Sequence, residues 1–227
     1  ESDGTCGDSV WALAPSADGV WIACATDPAG NGVAAWDGRG WTVLRSTDAL
    51  GRTTDLPTDV IRALAVVGDV AWLGTHGPGD AGAGIVSVVD GAVTDVLSTA
   101  PLAPPSNDVT AVVVDPQSGD LWVGTRGRGV MRLAGGTWTV HTRESTDEAL
   151  AGDTVTDLAL RGRELWVAST QVDYRDRAFQ DGGVSAYDLD AGTWRTPLRP
   201  GSSELPDGDV SSLAVDEDGR LWIGLGA

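Results

Sequence analysis

The sequence predicts an all-β fold: a β-propeller of about five four-stranded blade repeats, the last of them incomplete. Three observations predict it. A Trp flanked by apolar residues recurs at positions 21, 72, 122, 166 and 222. Upstream of each stands an alternating apolar segment, separated from the Trp segment by a short Gly/Asp turn. The composition is skewed to match, with ten Trp and 31 Gly against one Phe and two Tyr. One fixed Trp per all-β unit produces that bias.

Within each repeat the elements follow in a constant order, here a to d. Strand a reads Val10-Trp11-Ala12-Leu13, Ile61-Arg62-Ala63-Leu64, Val109-Thr110-Ala111-Val112, Val155-Thr156-Asp157-Leu158 and Val210-Ser211-Ser212-Leu213. A turn follows at Asp18-Gly19, Gly68-Asp69, Gly119-Asp120, Gly162-Arg163 or Asp218-Gly219. Gly and Asp tolerate the positive φ that a tight hairpin demands. Strand b carries the Trp. In four repeats a second hairpin opens on Gly and a β-branched residue: Gly32-Val33, Gly84-Ile85, Gly129-Val130 and Gly183-Val184. It turns at Asp37-Gly38, Asp90-Gly91, Gly135-Gly136 or Ala191-Gly192, and strand d follows.

A lone four-stranded sheet leaves two faces to cover, and radial stacking of such sheets covers both. The near-continuous apolar runs of strands a and b fit burial on two faces, with the b-strand Trp filling the gap between blades. The expected organisation is a single propeller domain over 1–227, with repeats at about 8–58, 59–107, 108–153, 154–208 and a partial one at 209–227. Either the last blade has two strands or the chain contributes to a longer propeller, and the second reading is preferred.

Net charge is −18, and all 15 basic residues are Arg. So acidic a surface repels phosphate backbones and anionic membranes, which argues against nucleic acid as a partner. No apolar run reaches the ~20 residues of a transmembrane helix. Cys6 and Cys24 lack metal-type spacing and are read as a disulfide, or else as two unrelated thiols.

The pattern Asp108-Val109-x-x-Val112, Asp115, Gly119-Asp120-Leu121-Trp122-Val123-Gly124-Thr125, Gly127-x-Gly129-Val130, Trp138-x-Val140 resembles the two-component-regulator propeller repeat. Asp209-Val210 through Leu221-Trp222-Ile223-Gly224 resembles it equally. The second and fourth repeats depart from it: Val93 replaces the second Trp, and an insertion follows Trp166. The resemblance implies an extracytoplasmic setting (secreted, periplasmic or cell-surface) and sensor-type or secreted proteins, many of which sense carbohydrates.

In a propeller the b–c and d–a loops share one face around the channel mouth, and variable loops on a rigid scaffold are where binding residues concentrate. The fourth b–c loop, 170–181, supplies Asp173, Tyr174, Arg175 and Arg177. Tyr174 offers a stacking face, and the two Arg can fork onto carboxylates or sugar hydroxyls. The bland alternative is a solvated insertion whose Arg and Asp pair with one another. Arg126, Arg128 and His76 occupy the corresponding loops of other repeats. Asp59, Asp108, Asp153 and Asp209 precede strand a. They are weak metal candidates, set against the plainer role of holding backbone N–H groups at the d–a crossover.

No nucleophile–base arrangement, metalloprotease motif or phosphate loop is present, and Gly124 to Gly129 leads into a strand rather than a helix. No cofactor is expected. The reading is a non-catalytic extracytoplasmic module for a glycan or protein ligand, a sensor or a subunit of a larger assembly. The alternative is a propeller-fold glycoside hydrolase or lyase with channel-mouth carboxylates.

Overall fold

The computed structural model describes residues 9–24, 32–47, 50–76, 82–97, 104–172 and 179–226. They form strands and turns, and among the described residues no helix is long and apolar enough to cross a membrane. Four sheets have four strands each, in sequence order, and a fifth has two. The first holds β1 (Val10–Ser16), β2 (Gly19–Cys24), β3 (Gly32–Trp36) and β4 (Trp41–Leu44). The second holds β5 (Ile61–Val67), β6 (Val70–Thr75), β7 (Ile85–Val89) and β8 (Ala92–Leu97). The third holds β9 (Val109–Val114), β10 (Leu121–Thr125), β11 (Val130–Ala134) and β12 (Thr137–His141). The fourth holds β13 (Thr154–Arg161), β14 (Glu164–Val172), β15 (Phe179–Asp188) and β16 (Thr193–Trp194). The fifth holds β17 (Val210–Val215) and β18 (Leu221–Leu225). These are propeller blades; among the described residues four have four strands and the fifth has strands a and b.

Local chemistry sets the turns. Asp90 and Gly91 both have positive φ, 50° and 75°, as do Gly135 and Gly136, 54° and 78°. Two consecutive positive φ values make the type I′ turn whose twist matches the strands it joins.

Two compact units divide the chain, Glu1–Pro116 and Gln117–Ala227. In the first, β5 packs against both β1 and β9, so the leading strands of successive blades meet. Its core gathers Ala23, Val33, Ile61, Leu73, Val86 and Leu56, the last from the loop before β5. In the second unit β13 packs against β10 and β17. Its core joins Ala168 and Val184 to Leu205, Val210 and Leu213.

A β-bulge recurs at the second position of strand a. The register shifts between Val10 and Ala12, Ile61 and Ala63, Val155 and Asp157, and Val210 and Ser212. A bulge adds one residue to a strand and re-aims its side chain. Two of the extra residues reach the leading strand of a neighbouring blade. The Arg62 guanidinium lies 4.3 Å from the Trp11 ring centre, and Thr156 Oγ1 donates to Val210 O at 2.6 Å.

Two sequence expectations need correction. The fourth b–c segment is not loop throughout 170–181, because β14 runs to Val172 and β15 starts at Phe179, with Gln171 paired to Gln180 and Val172 to Phe179. The described part of the insertion extends the hairpin, and added residues that keep pairing satisfy their own backbone groups. The b-strand Trp does not fill a gap in every blade either. Trp122 is 0% exposed, but Trp222 is 61% exposed. Trp222 sits in the two-stranded sheet, where no further blade covers it among the described residues.

Candidate functional site

In the second unit the loop after β10 is pinned from both sides. Thr125 N–H and Oγ1 both donate to Gly129 O, at 3.1 and 2.8 Å. Gly127 and Gly129 N–H both donate to Asp153 O, at 3.0 and 2.8 Å. Gly129 has φ +71°, and a Cβ there would lie 2.1 Å from His141 O, so only glycine fits. The consequence is a rigid bend over 125–129 that leaves Arg126 and Arg128 exposed. In a chain of charge −18, this loop places two exposed Arg close together on a held backbone.

The first unit has the corresponding loop after β6. Thr75 N–H and Oγ1 donate to Gly84 O, and His76 N–H donates to Val60 O at 3.0 Å. His76 Nδ1 donates to Asp108 Oδ1, with both side chains largely buried. Two sequence candidates from different lists are thus brought together. The carboxylate fixes the orientation of the ring.

The other acids before strand a act as crossover clamps. Asp59 accepts from the backbone N–H and hydroxyl of Ser46. Asp153 Oδ1 accepts from Arg143 N–H at 2.7 Å. These two contacts tie the end of strand d to the next strand a. At Asp209 it is the backbone carbonyl that acts, accepting from Gly226 N–H at 2.7 Å within its own two-stranded sheet. Among the described residues no group of three or more His, Cys, Asp or Glu is placed to hold a metal ion.

Asp173, Tyr174, Arg175 and Arg177 lie outside the described residues. So does Cys6. Cys24 is buried at the end of β2, and no free cysteine occurs among the described residues. The Cys6–Cys24 bridge stands as a proposal.

Sequence reading missed three features of the second unit. Trp122, His141, Tyr187 and Trp194 form an aromatic cluster with ring centres 5.1 to 5.8 Å apart, drawn from β10, β12, β15 and β16. Burial first, and then the Arg132 charge, holds His141 below its ordinary pKa. Asp157 Oδ2 accepts from Leu213 N–H on the next blade at 2.7 Å while Oδ1 accepts from Leu158 N–H at 2.8 Å. Burial raises the Asp157 pKa, opposed by those two donors. Finally, a cavity of about 490 Å³ is lined by Leu198, Ser203, Glu204, Leu205, Pro206, Ile223 and Leu225. One legible signal existed for the cluster. Strands c and d repeat an aromatic pair, Trp36 opposite Trp41 and Tyr187 opposite Trp194.

Residues 204–226 match the two component regulator propeller family. The chain is similar to the extracellular domain of a putative hybrid two component system from B. thetaiotaomicron, at 20% identity and TM-score 0.65, over 96% of this chain and 28% of that one. It is similar to PorZ, a surface component of the type-IX secretion system of Porphyromonas gingivalis, at 19% identity and TM-score 0.65, over 98% and 32%. It is also similar to a GH74 enzyme of Niastella koreensis, at 18% identity and TM-score 0.60, over 95% and 33%. The chain therefore spans about a third of the length of these structures or less. No curated protein sequence matches it. Likeness at this identity speaks for fold and not for activity. The chain is a β-propeller, and within it residues 204–226 are a two component regulator propeller repeat.

Proposed function

We propose that this chain is a non-catalytic, extracytoplasmic propeller module that binds a glycan or protein ligand on its b–c loops, as a sensor or as a subunit of a larger assembly. The observation that carries the reading is the 125–129 bend. Backbone hydrogen bonds to Asp153 and Gly129 hold it rigid, and it presents Arg126 and Arg128 to solvent. Binding to a preformed loop loses little conformational entropy. Asp173, Tyr174, Arg175 and Arg177 join the proposal from the sequence alone. The names of the B. thetaiotaomicron and P. gingivalis structures support the location and the two roles.

A glycan array and an envelope-protein pull-down test it. Arg126→Ala, Tyr174→Ala and Arg175→Ala each weaken binding at an unchanged melting temperature, and Arg163→Ala on the opposite turns leaves it intact. The reverse pattern places the binding face on the other side.

A second reading, a glycoside hydrolase or lyase, is favoured by the GH74 likeness and by the His76–Asp108 pair, whose oriented imidazole suits proton transfer. Turnover of a glycan that disappears in an Asp108→Asn variant selects this reading over the first.

A further inference from the structure

Opposite the first residue of strand c, three of the four-stranded blades carry Leu. Leu44 stands opposite Val33, Leu97 opposite Ile85 and Leu198 opposite Val184. The third blade puts His141 at that place, opposite Val130. A titratable ring thus replaces an apolar side chain in the seam between the third and fourth blades, where it meets Trp122, Tyr187 and Trp194. One repeat that breaks a rule the others keep marks a candidate for function.

The seam accepts one charge state of that ring. Trp194 Nε1–H donates to His141 Nδ1 at 3.3 Å, so the proton of the neutral ring sits on Nε2. Nε2 and the neighbouring Trp122 Nε1 are both buried without a hydrogen-bond partner among the described residues. A second proton goes onto Nδ1, where it meets another N–H. The charged and titratable groups around the ring, among the described residues, are Arg132 on β11, its partner Asp120 just before β10, and Tyr187 on β15. Asp120 already takes two N–H groups from Arg132. From β10 and β16 come Trp122 and Trp194, and Arg195, next on β16, is paired with Glu164 and Asp188. A charged His141 therefore meets a cation and three aromatic rings, and is relieved only by leaving the seam.

The same residue seats the 125–129 bend. A Cβ on Gly129 would lie 2.1 Å from His141 O, so the bend rests directly on the His141 backbone. Two residues further on, Arg143 N–H donates to Asp153 Oδ1 at 2.7 Å. Asp153 O in turn accepts from Gly127 and Gly129 N–H, at 3.0 and 2.8 Å. The end of β12 is thus one arm of the clamp on the bend. We infer that His141 is a proton-binding site that governs this bend: neutral, it locks the end of β12 onto the fourth blade and the bend is held; protonated, it leaves the seam and the bend is freed. That this regulates binding rests on the loop-face reading above. Burial and the Arg132 charge hold the ring below its ordinary value. The open state therefore takes up the proton first, and release sets in as pH falls below about 6.5.

The test is amide exchange of the 227-residue protein, read as protection factors at Gly127 and Gly129 from pH 7.5 to pH 5. Protection at both falls about tenfold by pH 5, while that of the β13–β14 ladder holds. His141→Leu, the residue the other blades use, keeps both amides protected throughout. Trp194→Phe removes the donor to Nδ1 and makes the fall shallower. Unchanged protection at Gly127 and Gly129 in the unsubstituted protein overturns the inference. So does a fall that persists in His141→Leu, or one that Trp194→Phe leaves as steep. If His141→Leu does not fold, the unsubstituted protein and Trp194→Phe still decide the outcome. Exchange needs no ligand, so a loop face that binds nothing defeats the loop-face reading and leaves the latch to be judged by exchange.

Discussion

Trp194 Nε1–H donates to His141 Nδ1 at 3.3 Å, joining the last strand of the third blade to the last strand of the fourth. An acceptor at Nδ1 requires that nitrogen to be unprotonated, so the cluster selects the neutral ring. Arg132 stands beside it with its guanidinium over Trp122, at 5.2 Å, and pairs with Asp120. Tyr187 closes the other side.

The first prediction concerns pH. The folded pKa of His141 is depressed, so the unfolded chain takes up the proton first as pH falls. Stability is fully present above the unfolded value of about 6.5 and is lost as pH drops from there toward the folded value. Thermal melts from pH 8 to pH 5 read this directly. His141→Phe flattens the dependence between pH 7 and pH 5. Parallel curves for the two proteins would exclude the neutral-ring account.

A second prediction compares one repeat position in two settings. Trp122→Ala removes a fully buried indole and costs on the order of 3–5 kcal/mol. Trp222→Ala removes one that is 61% exposed and costs under about 1 kcal/mol. Half-buried Trp138 falls between them. Denaturant midpoints at constant m measure all three, and equal losses contradict the blade order.

Asp157 supplies the third. Its two oxygens take one N–H each, from Leu158 and from Leu213 across the blade interface. Asn has a single acceptor oxygen, so Asp157→Asn strands one N–H and costs about 1–3 kcal/mol. Amide exchange at Leu213 accelerates in step. An unchanged melting temperature removes Asp157 from the interface account.

The fourth prediction concerns the cysteines. If Cys6 bridges to Cys24, the non-reduced protein weighs two hydrogens less than the reduced one, and reduction lowers its melting temperature. Two thiols that alkylate in denaturant without reductant rule the bridge out.

The sequence by itself determined the blade. Outside the fourth b–c hairpin, the strands and turns follow from local pattern: period-two alternation, a Gly/Asp turn, and glycine before strand c, where Gly129 and Gly84 meet the carbonyls of His141 and Leu97. These are short-range constraints of sterics and backbone hydrogen bonding, written in adjacent residues. Two of the candidate site residues, Arg126 and Arg128, were legible as loop cations for the same reason.

Only tertiary structure decided which repeats of one pattern play different parts. Trp122 and Trp222 occupy the same position in near-identical segments, yet one is buried and the other exposed. His76 meets Asp108 across 32 residues, and Asp157 meets Leu213 across 56. Burial, pairing and pKa depend on which surface lies opposite. In stacked sheets that surface comes from the neighbouring blade, so a residue's own segment carries its shape but not its environment.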